Sequence, residues 1–151
     1  MYDRQLALSY AKRWALSFNP NYYNFSSIGG DCTNFVSQCI HAGGVAMNFD
    51  KYGWYYISLN NRAPAWSGVN EFWNFGTKNS RVGLKLTKST LQELEIGDII
   101  QLFNGERYYH TLFVSSVVDA EIKVSAHDNP TFNAPLDSYY FRSFRCAKVS
   151  D

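Results

Sequence analysis

The sequence predicts an α+β fold, in which N-terminal helices pack on one antiparallel sheet, and three patterns carry that expectation. Apolar residues recur at helical spacing as far as Ile40, alternating apolar segments fill the chain after Leu94, and no strand-helix-strand alternation joins the two regions. Asp3 is placed to cap a first helix carrying Leu6, Tyr10, Trp14 and Phe18, with Ala7, Ala11 and Ala15 beside them, until Asn19-Pro20 ends it. A loop rich in Asn, Tyr, Ser and Gly leads to a second helix. That helix begins at Cys32, runs through Phe35, Val36, Cys39 and Ile40, and stops at the pair Gly43-Gly44. Between Met47 and Lys88 only a short helix, Ser67 to Phe75, stands out, and the remainder reads as irregular. Strands are expected over Asp98 to Phe103, Tyr108 to Val118, Glu121 to His127 and Phe141 to Val149.

A length of 151 residues and a hydrophobic content of 46% suit one compact domain over residues 1–151. Fourteen basic residues against 13 acidic ones leave a net charge of +1, so nucleic acid and anionic membrane are not expected as partners. No apolar run is long enough to span a membrane. Met1-Tyr2-Asp3-Arg4 leads straight into a helix without a signal peptide, so the expectation is either a cytoplasmic protein or one domain of a longer exported chain. The 11 Tyr, 11 Phe and 4 Trp suit core and sheet packing, with some left to line a groove. Cys32, Cys39 and Cys146 are too few for a disulfide framework.

The chemistry centres on Gly29-Gly30-Asp31-Cys32-Thr33-Asn34-Phe35-Val36-Ser37-Gln38, which sets a cysteine after a glycine turn at the start of a helix. Exposed N–H groups and the helix dipole there favour a thiolate, lowering a pKa that is otherwise about 8.5, so Cys32 is the candidate nucleophile. Cys39 and Cys146 read as core, and Asp31 as a turn or cap residue. A nucleophilic cysteine needs a histidine base. His41 lies nine positions along the same helix and faces away, which leaves His110 and His127 flanking a hairpin.

Paired residues in a hairpin have a constant index sum, so the turn chooses the residue opposite His110. A two-residue turn at Val118-Asp119 selects His127, and one at Asp119-Ala120 selects Asn129. A three-residue loop selects Asp128 and pairs Leu112 and Val114 with Ala126 and Val124; a bulge near Ser115-Ser116 or Asp128 would settle the conflict. No paired ligand spacing indicates a metal, and no lysine follows Gly29-Gly30 to suggest a phosphate loop, so no cofactor is expected.

The block around Cys32, with Tyr10-Ala11 and Trp14, Asn19-Pro20-Asn21-Tyr22, Ala42-Gly43-Gly44, Gly97-Asp98-Ile99-Ile100-Gln101, His110-Thr111 and His127-Asp128-Asn129, resembles the bacterial putative amidase domain. That family is similar to the papain-like peptidases that include the NlpC-type and CHAP peptidoglycan hydrolases. The resemblance implies a papain-like fold and a cysteine amidase or peptidase with Cys32 as nucleophile, His110 as base and a third polar residue; a monomer is expected. It aligns His127 with the third histidine of NlpC-type enzymes. Asn129 matches a CHAP position, and Asp128 with Pro130 departs from the amidase pattern. Tyr22, Tyr23 and Asn24 are the implied oxyanion-hole candidates, alongside the N–H of Cys32. The implied substrate is peptidoglycan or another peptide, and the implied location the cell envelope. Acyl transfer on the same fold and a non-catalytic peptide- or glycan-binding module are the alternatives.

Overall fold

A computed structural model describes residues 1–151 and has the expected class, helices packed on an antiparallel sheet. Helices α1 (Arg4–Trp14) and α2 (Cys32–Ala42) come first. A short ribbon of β1 (Tyr56–Ser58) and β2 (Asn61–Arg62) leads to helices α3 (Pro64–Ser67) and α4 (Val69–Lys78). Strands β3 (Lys85–Ser89), β4 (Ile99–Phe103), β5 (Tyr108–Val118), β6 (Glu121–Ala126), β7 (Thr131–Pro135) and β8 (Ser143–Ser150) form the main sheet. Its order is β3-β8-β4-β5-β6-β7, and every neighbouring pair is antiparallel. No helix is long and apolar enough to cross a membrane.

Asp3 caps α1 as expected, its carboxylate accepting from the N–H groups of Gln5 and Leu6. The helix stops at Trp14, short of Phe18, and its inward stripe is Ala7, Ala11 and Ala15, while Leu6 stays 55% exposed. Small side chains along that stripe let α1 lie close against α2. Residues Cys32 through Ile40 of α2 are all buried, which makes α2 the central helix. The helix expected over Ser67 to Phe75 is two helices, because the extended backbone of Gly68 separates α3 from α4.

Alternation along the strands supplies two cores. Ile99, Phe113 and Ala147 share a cross-strand row on the helix side, packing with Phe35, Val36, Ile40, Trp54, Trp66 and Phe72. Their neighbours Ile100, Leu112 and Cys146 face the other side, where Leu136 and the segment Tyr139 to Phe144 cover them. Strands β3 and β7 escape the sequence pattern because they are edge strands. Lys85-Leu86-Thr87-Lys88-Ser89 has one buried residue, and Thr131–Pro135 has none.

The helix layer is tied to the sheet through Asp98, which is fully buried. Its carboxylate accepts from Arg4 at 2.7 Å, Lys148 at 3.0 Å and the N–H groups of Glu95 and Val149 at 2.8 and 2.9 Å. Removing a buried carboxylate strands its cationic partners, a loss of about 3–5 kcal/mol. Asp98→Ala should therefore lower the unfolding free energy by about that amount in a denaturant titration. An unchanged midpoint would show that the carboxylate is dispensable.

Candidate active site

The turn before α2 is built by Gly29 and Gly30, at φ +98° and +102°, a conformation that other residues enter only with strain. A Cβ on Gly30 would also lie 2.5 Å from an oxygen of Asp128, so glycine is required on steric grounds as well. Asp31 occupies the N-cap position without capping the helix. Its carboxylate instead accepts from the N–H of Phe25 at 2.8 Å and the amide of Asn34 at 2.9 Å, and hydrogen-bonds with Nδ1 of His127 at 2.5 Å. The N–H groups that Asp31 leaves open are taken by Asp128, whose carboxylate accepts from Asp31 N at 2.6 Å and Cys32 N at 3.2 Å. A helix N-terminus favours an anion in that place.

Asp128 arrives there because β5 and β6 change register. The hairpin turns at Asp119-Ala120, both with positive φ, and begins with Val118 opposite Glu121. That register alone would set Asn129 opposite His110. A bulge at Ser115 shifts the ladder by one, so that Val114 faces Val124 and Phe113 faces Ser125. Continued past Ala126, the shifted ladder brings Asp128 to His110. Backbone φ values of +62° at Asp128 and +85° at Asn129 then turn the chain out of the strand.

Cys32 Sγ, a ring nitrogen of His110 and a carboxylate oxygen of Asp128 all lie within 4.8 Å of one another. His127 is not part of that cluster. Its Nε2 donates to the carbonyl of Trp14 at 2.8 Å and its Nδ1 is engaged by Asp31, so no ring nitrogen is left for His110. The ring stacks on Phe35 and leans on Phe18, only 1% exposed. Of the residues proposed to orient His110, the structure sets an Asp128 oxygen within 4.8 Å of a ring nitrogen of His110, leaves Asn129 exposed, and gives His127 to the loop that carries Cys32.

The upstream polar residues serve that loop too. Tyr22 packs against Tyr56 and Trp66, Tyr23 accepts from Asn34 through its carbonyl, and Asn24 accepts from Ser26. None bonds to Cys32. The thiol instead meets Thr33 Oγ1 at 3.7 Å and the backbone of Thr111, whose hydroxyl bonds Thr33 at 2.8 Å. Thr111 and Gln101 stand in the motifs that carry the family resemblance, but the resemblance assigns them no role. Their one signal is a polar side chain at an inward position of an apolar strand.

Electrostatics reverse the expectation for Cys32. Burial pushes the thiol up to about 12; the backbone of Thr111 pulls it down, the Asp128 carboxylate pushes it up by less than Thr111 pulls, and Thr33 gives a little further help to the thiolate. His110 moves the other way, lowered by burial although Asp128 works to raise it. At neutral pH the pair is therefore thiol and neutral imidazole. The helix dipole does not win here, because an anion already occupies the helix end and water is excluded. The three clustered atoms include one soft and two harder donors, a set that could close on a divalent ion such as zinc.

A family described as "Putative amidase domain" matches residues 1–147. Two curated proteins of Bacillus subtilis strain 168 are similar to the chain. The uncharacterized protein YhbB is 29% identical over 93% of the chain, which spans 49% of that protein. The uncharacterized protein YjcM is 28% identical over 90% of the chain, which spans 33% of its length. No solved structure matches.

The pairing of Asp31 with His127 has a measurable consequence. His127→Ala leaves a buried carboxylate without its ring partner and should cost about 3–5 kcal/mol of stability. Thermal melts of His127→Ala, Asp31→Ala and the double variant should show the double variant losing less than the two single losses combined. Strict additivity would mean that the two side chains do not stabilise the fold as a pair.

Proposed function

Since the chain belongs to the family described as a putative amidase domain, we propose that it cleaves amides through Cys32. The observation that carries this reading is the meeting of thiol, imidazole and carboxylate within 4.8 Å at the start of α2. The proposed enzyme is papain-like and monomeric, its catalytic domain is residues 1–151, and it acts on peptide amides of bacterial peptidoglycan in the cell envelope. The resemblance of the Cys32 block to the NlpC-type and CHAP hydrolases supports that substrate.

In this mechanism His110 takes the Cys32 proton as sulfur attacks the carbonyl carbon, which needs both groups neutral at the outset and fits their shifted pKa values. The carbonyl oxygen becomes an oxyanion and replaces the Asp128 carboxylate on the N–H groups of Asp31 and Cys32. Asp128, released from them, turns to His110 and stabilises the imidazolium. The tetrahedral intermediate collapses as His110 returns the proton to the leaving amine. Water then attacks the thioester, with His110 again as base; an amine in its place would give acyl transfer. The N–H pair at the helix start replaces Tyr22, Tyr23 and Asn24 in the proposed oxyanion hole, and Asp128 replaces His127 as the third member.

Cys32→Ala should abolish release of new amino groups from purified peptidoglycan while the melting temperature holds, and a chelator should leave the wild type active. A folded Cys32→Ala protein that still digests the wall would end the cysteine mechanism. Activity that falls in chelator and returns with zinc would instead favour a metal held by Cys32, His110 and Asp128.

Asp128→Asn separates two effects. Losing the carboxylate removes a charge that raises the thiol pKa, so iodoacetamide should alkylate Cys32 faster at fixed pH, with the rate still climbing through the alkaline range. Hydrolysis should fall by ~10- to 10³-fold, because His110 loses its partner. If alkylation slows together with hydrolysis, Asp128 activates the resting thiol rather than suppressing it.

A further inference from the structure

A polar row crosses the helix side of the sheet and begins at the thiol. Thr111 on β5 stands opposite Gln101 on β4, and Gln101 stands opposite Arg145 on β8. Gln101 donates from Nε2 to the Thr111 hydroxyl at 3.1 Å and accepts from Arg145 Nε at 2.8 Å. The far end of this row is a half-buried guanidinium lying over the rings of Tyr108 and Trp73, 3.7 and 4.4 Å from their centroids.

Arg145 has no acidic partner. The buried anion of the fold, Asp98, pairs with Arg4 and Lys148, and Arg145 makes no ion pair at all. Its two hydrogen bonds, from Nε to Gln101 and from Nη2 to Asn70 Oδ1 at 3.1 Å, go to neutral amide oxygens. Three of its five N–H groups are left without a protein acceptor. Burial works against the charge and lowers its pKa from the usual range. A guanidinium set over two rings, hydrogen-bonded to two amide oxygens and left unneutralised has the form of a receptor for a planar anion.

From these contacts we infer that Arg145 binds a carboxylate of the substrate, so that the preferred substrates are peptide amides bearing a free carboxylate a few residues from the scissile bond. The spacing fits. Two strand spacings set the backbone of Arg145 about 10 Å from that of Thr111, which bonds the thiol, a distance that three extended residues cover. Thr111 and Gln101 are themselves fully buried, so the substrate meets the guanidinium from its exposed side. Asn70 and Gln101 anchor the fork at Nη2 and Nε, and the aromatic rings limit access of water that would weaken the pair. This inference rests on the amide-hydrolase reading, and it specifies which amides that site selects.

The test uses soluble muropeptides from a muramidase digest of peptidoglycan, half of them left native and half amidated with carbodiimide and ammonia. Wild type, Arg145→Gln and Arg145→Lys are compared on both. The wild type should favour native over amidated muropeptides by ~10- to 100-fold in kcat/KM, as expected for a charge-assisted pair. Arg145→Gln should lose that preference through KM, with kcat held within about threefold, and Arg145→Lys should fall between them. Equal turnover of the two preparations by the wild type overturns the inference, whether or not the variants fold. So does an equal loss by Arg145→Gln on both. Binding of native muropeptides to Cys32→Ala, followed by NMR, distinguishes the two layers of the argument. Binding that vanishes in Cys32→Ala/Arg145→Gln supports the carboxylate site even if no preparation is hydrolysed, and no binding overturns it.

Discussion

The free N–H groups at the start of α2 are the constraint from which the candidate site follows. They must find acceptors, and the residue at the cap position, Asp31, is turned toward Phe25, Asn34 and His127. The acceptor is supplied by Asp128, 97 positions away in sequence from Asp31. Much else serves that arrangement: the bulge at Ser115, the left-handed backbone at Asp128 and Asn129, and the glycine at position 30 that lets the carboxylate approach. One local need at a helix end thereby specifies how two distant strand residues meet a cysteine.

The same arrangement explains why the thiol is protonated in this state. A helix N-terminus contributes ~0.3–2 kcal/mol to a nearby anion, and Asp128 already draws on that contribution. Cys32 is left with burial and a neighbouring negative charge, both of which oppose a thiolate. Its state is therefore coupled to the position of Asp128. In the proposed mechanism the oxyanion takes the N–H groups that Asp128 gives up while the carboxylate moves to the imidazolium, so attack and the shift of Asp128 are one event.

Much of the fold was legible because its signals are local. The Asp3 cap, the glycine pair ending α2, the segregation of helices from strands and the placement of Cys32 at a helix start all follow from short patterns, and the structure has each of them. Edge strands β3 and β7 were illegible because a strand exposed along most of its length lacks an apolar alternation. At the site, the sequence pointed to His110 and left three residues open as its partner. The apolar pairing of Val114 with Val124 favoured Asp128, whereas a two-residue turn selected His127 or Asn129 according to its position; the turn lies at Asp119-Ala120, and a bulge shifts the ladder back by one. The engagement of His127 by Asp31 and the carbonyl of Trp14 joins three segments distant in sequence, which no local pattern encodes. The sign of the thiol shift was equally hidden, since it depends on burial and on a remote carboxylate.

The polar edges of the sheet also affect how the protein behaves beside its own copies. Strand β3 carries lysines at Lys85 and Lys88, and β7 ends in a proline, Pro135, that has no N–H to offer. A second sheet approaching either border would have to bury an ammonium group or forgo a ladder bond. Six strands with two apolar faces would otherwise be a ready template for aggregation, and the composition of the two outermost strands keeps that template closed at both ends.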